Sequence, residues 1–146
     1  MKTSKNSKTK KGKVDRYYCE LYDVYLYVAN RDATLSQIRK YVKWSDGEEF
    51  DESMDSGAAA TTFFSLTDKE TTADAILVKY NSNTRNKKVD KIIDRIGITT
   101  HEATHVALRI YQECGQNVSF ESQEPFAYLV EWATECIYKT IRNDKY

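Results

Sequence analysis

One proline, two histidines and three cysteines occur in 146 residues, and the chain carries no formal net charge. Each scarcity excludes something. Twenty-two basic and 22 acidic residues cancel, so no overall basic field exists to draw in nucleic acid. Cys19, Cys114 and Cys136 are odd in number, widely spaced and form no CxxC pair. They read as reduced thiols of a cytoplasmic protein, not as a disulfide framework or a zinc ribbon. No stretch approaches the roughly 20 apolar residues that span a bilayer, so a membrane partner is not expected. The opening MKTSKNSKTKKGK is basic but has no apolar region behind it, which is unlike a secretory signal.

What remains suits one soluble domain. Apolar residues make up 40% and charged residues 30% of the chain, and its length favours a single core. Residues 1–14 read as a disordered basic tail and 15–146 as the domain. The tail lysines form a solvated arm first, with phosphate contact as the second reading.

Aromatic and β-branched residues crowd YYCELYDVYLYV, from Tyr17 to Val28, and predict a strand. Thr34 with Gln37 three residues on makes a capping box. Leu35, Ile38, Tyr41 and Val42 then recur at helical spacing. DGEEFDESMD, residues 46–55, is acidic and reads as a solvated loop, without the ligand pattern of an EF-hand. TTFFSL (61–66) and ADAILVKY (73–80) predict two strands joined in a hairpin by TDKETT, and 81–86 a loop. Val89, Ile92, Ile93 and Ile96 share a helical face, and the pattern continues through Val106, Leu108, Ile110 and Tyr111 to a stop at Gly115. Gly97 and Thr99–Thr100 are places where this long helix would bend or break. Pro125 opens a last helix that runs to about Ile141.

Both histidines lie in one pentapeptide, His101-Glu102-Ala103-Thr104-His105. Residues four apart on a helix share a face, so the two imidazoles can reach one metal ion, with Glu102 beside it to accept a proton from water. Zinc suits that chemistry because it lowers the pKa of bound water to near 7 and polarises a carbonyl. The competing reading is a pair of surface histidines on an amphipathic helix. A third protein ligand has to be a carboxylate or a cysteine, because no third histidine exists. Glu124, 18 residues beyond His105 at the start of the last helix, is the first candidate. Glu121 and Glu131 are its rivals, Glu131 also as a hydrogen-bonding partner of a ligating imidazole. The competing reading of Glu124 is an acidic helix-start residue that serves only the dipole.

HEATH, 18 residues and then Glu resembles the gluzincin clan of zinc metallopeptidases. HEATHVAL with EPFAYLVEW is similar to small zincin-like proteins of phages and bacteria. The resemblance covers about residues 17–141 and implies an α+β, zincin-like fold. In it a small, mostly antiparallel sheet packs on the HExxH helix and a C-terminal glutamate helix. It further implies zinc held by His101, His105 and Glu124, with Glu102 as general base. The acid that several gluzincins carry four residues after the third ligand is Tyr128 here, and no residue matches the family's usual oxyanion-stabilising Tyr or His. Tyr128 and Tyr111 are the substitutes to consider, against the plainer reading of packed core tyrosines. Residues 73–80 would be a substrate edge or an ordinary interior strand.

Three functions follow. The first is zinc-dependent hydrolysis of a peptide or protein substrate, in the cytoplasm or, for a phage protein, in the host cytoplasm or virion. The second is a zincin-fold binding or structural module without turnover, such as a virion or host-interaction protein. In either case a partner protein or assembly that completes the cleft is a candidate partner. The third, well behind, is nucleic-acid association through the lysine arm.

Overall fold

The computed structural model describes residues 11–52, 58–81 and 91–144. The architecture is α+β: one five-stranded, mostly antiparallel sheet and three helices. Strands β1 (Val14–Cys19) and β2 (Val24–Ala29) form a hairpin through one 3-10 turn, Glu20–Tyr22. Then come helix α1 (Leu35–Arg39), strands β3 (Val42–Trp44), β4 (Ala60–Asp68) and β5 (Asp74–Tyr80), and helices α2 (Lys91–Glu113) and α3 (Gln123–Ile141). The sheet order is β1-β2-β5-β4-β3, and only β2 and β5 run parallel.

Both faces of the sheet are covered. Leu26, Val28, Ile76 and Val78 point into a core shared with Ala103, Val106 and Ile110 of α2 and Ala133 and Ile137 of α3. Tyr27, Ala29, Ala75 and Leu77 point the other way, onto Ile38 of α1, Val42, Phe50 and Leu66. A central strand covered on both faces is buried along nearly its whole length, as β5 is.

Several expectations need correction. The single strand expected over residues 17–28 is two strands, because Asp23 takes the left-handed conformation (φ 49°) that an aspartate tolerates in a turn. The Thr34 capping box is present, with Gln37 bonded both ways, but the helix stops at Arg39 and Val42 begins a strand. Phe50, inside the acidic segment, is fully buried; residues 53–55 of that segment lie outside the described residues. Val89 also lies outside them, and Ile92, Ile93 and Ile96 are exposed instead of forming a buried face. Helix α2 runs unbroken through Gly97 and Thr99–Thr100. It ends as expected at Gly115 (φ 66°), where Gly115 N–H bonds to Gln112 O and Gln116 N–H to Tyr111 O, a Schellman closure. Residues 1–10 lie outside the described residues, while Val14 already pairs with Ala29 in β1. The three cysteines are free. No described helix is long and apolar enough to cross a membrane.

One buried cation carries a pH prediction. Lys79 on β5 is 2% exposed and donates to three backbone oxygens, of Asn30 at 3.0 Å, Arg31 at 3.1 Å and Tyr80 at 2.5 Å. Burial lowers its pKa to about 8, against the opposing pull of Asp32 and Asp144. Between pH 8 and 10.5 the unfolded chain therefore keeps a proton that the folded chain has released, so this group makes stability rise with pH. Cys136 and Tyr80 act in the opposite sense, since burial raises both to about 12 and the unfolded chain loses their protons first. Comparison with Lys79→Met at each pH separates the two. Chemical denaturation should show wild type gaining up to about 3 kcal/mol relative to the variant across that window. A pH-independent gap would show that Lys79 does not release its proton in the fold.

Candidate metal centre

Helix α2 is fixed in register by polar contacts on two flanks. On the sheet side, the Tyr80 hydroxyl donates to Arg95 O at 3.2 Å and lies 3.1 Å from Thr99 Oγ1. Thr62 of β4 donates to Glu102 Oε2 at 2.5 Å, and Arg109 reaches Ser65 Oγ at 3.4 Å and sits over the Phe64 ring. On the α3 side, Tyr111 packs edge-on against Phe126 and donates to Ser122 O at 2.9 Å. At the other end of the helix pair, Arg95 donates to the carbonyls of Ile141 and Asp144.

Between these flanks His101 and His105 face solvent. Their rings stand 4.8 Å apart at 77°, and the two Nε2 atoms are 3.1 Å apart. Without a cation, one ring nitrogen donates to the other. With one, both lone pairs serve it: two nitrogens about 2.05 Å from a tetrahedral zinc ion lie about 3.3 Å from each other. The observed separation fits a shared ion without rebuilding the helix. Exposure leaves solvent access to the pair, while Glu102, next along the chain, is buried at 5%. Its carboxylate is held from β4 and is therefore placed by the sheet as well as by the helix.

The carboxylates proposed as third ligand are not gathered here. Among the described residues no group of three His, Cys, Asp or Glu side chains could hold a metal ion. Helical geometry explains why Glu124 is absent from the pair. Each residue turns about 100° around a helix, so Glu124 lies about 200° from Phe126, which packs on Tyr111 of α2. It is exposed on the far side of α3, as is Tyr128, four residues on and 66% exposed. Glu121, in the loop before α3, and Glu131 are also exposed. On α2, His105 lies about 120° from Tyr111 but only about 40° from Arg109, so it leans toward β4, while His101 lies about 80° from each.

Of the two tyrosines considered, Tyr111 is a core residue, 1% exposed with its hydroxyl committed to Ser122, whereas Tyr128 is not packed. Residues 73–80 are not a substrate edge. β5 pairs with β2 on one side and β4 on the other. The strand that borders the histidine helix is β4. β3 covers its outer side at Leu66–Asp68 and Ser45 N–H bonds to Ser65 O at 2.9 Å, while no described strand pairs with that side at Phe63 and Phe64. Sequence reasoning also missed Thr62. The inward alternation of TTFFSL was the available signal, because it sets Thr62 on the same face as Phe64.

No family model, curated protein or solved structure matches the chain.

Proposed function

We propose that the chain is a zinc-dependent peptide hydrolase of minimal zincin-like form, with His101 and His105 as metal ligands and Glu102 as general base. One observation carries this reading: two Nε2 atoms 3.1 Å apart on an exposed helical face, on the same helical turn as Glu102, whose carboxylate is held from the sheet. Zinc, when bound, supplies a Lewis acid that makes water nucleophilic near neutral pH. Glu102 accepts the proton of the attacking water and passes it to the leaving nitrogen as the C–N bond breaks, giving an acid and an amine. Thr62 holds one carboxylate oxygen, which limits the rotamers Glu102 can adopt. An extended substrate would lie along β4 beside Phe63 and Phe64, by strand addition.

The test is metal content joined to cleavage. Elemental analysis of the purified chain should find one zinc per protein, lost in His101→Ala and in His105→Ala. The same measurement on Glu124→Ala, Glu121→Ala and Glu131→Ala assigns or dismisses each carboxylate as a further ligand. A quenched-peptide pool should be cleaved, with activity removed by a chelator and restored by zinc. No zinc in the wild type refutes the metal site. Stoichiometric zinc with no cleaved peptide refutes hydrolysis and leaves a zinc-holding binding module.

A further inference from the structure

One helical turn past His105, about 6 Å along the axis, α2 borders a cavity of about 250 Å³. Val24, Ile76 and Ile110 give it an apolar wall, and Arg109, Glu113 and Asp74 are its charged groups. Ser65 stands at its edge in the left-handed region (φ 57°), at the β-bulge where the β4–β5 register shifts between Phe63 and Leu66. That conformation is costly for a residue with a Cβ, and such strain concentrates at ligand sites. The volume is below the ~300 Å³ at which pockets for drug-sized ligands begin, and it suits one long side chain.

The charges choose which side chain. Arg109 is already engaged: it pairs with Glu113 at 2.5 Å, donates to Gln112 at 3.1 Å and sits over Phe64. Asp74 is exposed, and among the described residues no hydrogen bond or ion pair engages its carboxylate. Two carboxylates against one committed guanidinium leave the cavity with an unmatched negative charge. A lysine or arginine fits both properties, because its methylene stem packs on apolar surface while its head stays with the carboxylates. We propose that this cavity binds the side chain of a lysine or arginine in a bound polypeptide, with Asp74 as the residue that selects the cation. The inference stands apart from the zinc reading, since it needs neither metal nor turnover. Where hydrolysis also holds, cleavage falls beside a basic residue.

Cys114 lines the same cavity and is exposed, whereas Cys19 and Cys136 are buried, so its alkylation reports occupancy. The rate of Cys114 modification by iodoacetamide, read by mass spectrometry on the full chain, is followed with acetylated, amidated lysine, norleucine or glutamate. Lysine at twice its Kd should slow the reaction about threefold, and norleucine and glutamate should slow it less. Asp74→Asn should weaken lysine binding about three- to fivefold, the scale of an exposed charge pair. Glu113→Gln frees Arg109 and should shift preference toward glutamate. Protection by none of the three, equal protection by lysine and norleucine, or a wild-type preference for glutamate overturns the proposal. Lysine protection without any peptide cleavage removes the hydrolase reading and leaves this one standing.

Discussion

Glu102→Gln is expected to keep its zinc and to lower peptide hydrolysis by about 10²–10⁴-fold, the usual contribution of a positioned general base. The substitution is a clean one here for a structural reason. Glu102 is 5% exposed and its Oε2 accepts the Thr62 hydroxyl, and a glutamine carbonyl of the same shape can accept that bond. Packing against β4 is retained, so lost activity reports a lost proton acceptor and not a damaged fold. Glu102→Ala would confuse the two, since it opens a void and strands the Thr62 hydroxyl. His101 and His105 are untouched in the variant, which is why metal content should hold. If hydrolysis survives Glu102→Gln at near wild-type rate, another group takes the proton and the assignment of Glu102 fails.

The local parts of this fold were legible and the long-range parts were not. Thr34 and Gln37 announce a capped helix because the capping box is a contact between residues three apart. Gly115 announces a helix end because its left-handed φ is a property of one residue. The α+β class and the hairpin of β4 and β5 follow from alternation and a short polar connection. By contrast, the turn at Glu20–Asp23 carries no glycine or proline, so nothing local divides the aromatic run. β5 lies between β2 and β4, and nothing in ADAILVKY reveals which neighbours a strand acquires. Lys79 shows the same limit. By residue type it belongs in water, yet it is buried where the ends of β2 and β5 meet and three carbonyls receive it. The candidate site divides likewise. HEATH is a helical, local pattern, and the two imidazoles do converge. A spacing of 18 residues between His105 and Glu124 specifies no direction for the second helix, and Phe126, not Glu124, turns toward α2. The cavity beside Arg109 draws on Val24, Leu66 and Ile76 from three strands, and no single segment could have announced it.

The largest effect on stability is expected at Asp68. It is fully buried at the end of β4, and its carboxylate gathers donors from three parts of the chain. The Tyr27 hydroxyl of β2 donates to one oxygen. Arg16 of β1 reaches the other at 3.0 Å, and Thr71 of the β4–β5 turn donates to it from its amide at 2.8 Å and its hydroxyl at 2.6 Å. Removing the carboxylate does not strand all of these equally. Arg16 keeps Glu70 at 3.5 Å and partial solvent access, and Thr71 is exposed, so water can serve both. Tyr27, at 1% exposure, has no such recourse. Adding its stranded hydroxyl to the lost charge-assisted bonds gives about 3 kcal/mol for Asp68→Ala, or roughly 10 °C in Tm for a domain of this size. Asp68→Asn, which still accepts from Tyr27, should lose about half as much. The pH dependence has a fixed sign. Burial pushes the Asp68 carboxyl up, but the bonds from Thr71, Tyr27 and Arg16 prevail and hold it below the ordinary carboxylate range. Its stabilisation is therefore present above the unfolded pKa of about 4 and is lost as pH falls through the lower folded value. Burial and the bond to Asp68 raise Tyr27, so its share persists through neutral pH and fades only above its unfolded pKa of about 10. The gap between wild type and Asp68→Ala should be widest from about pH 5 to 9 and should narrow toward acid. A gap that stays constant down to pH 2, or one under ~0.5 kcal/mol at neutral pH, would mean that the carboxylate fills space and does not join the three segments.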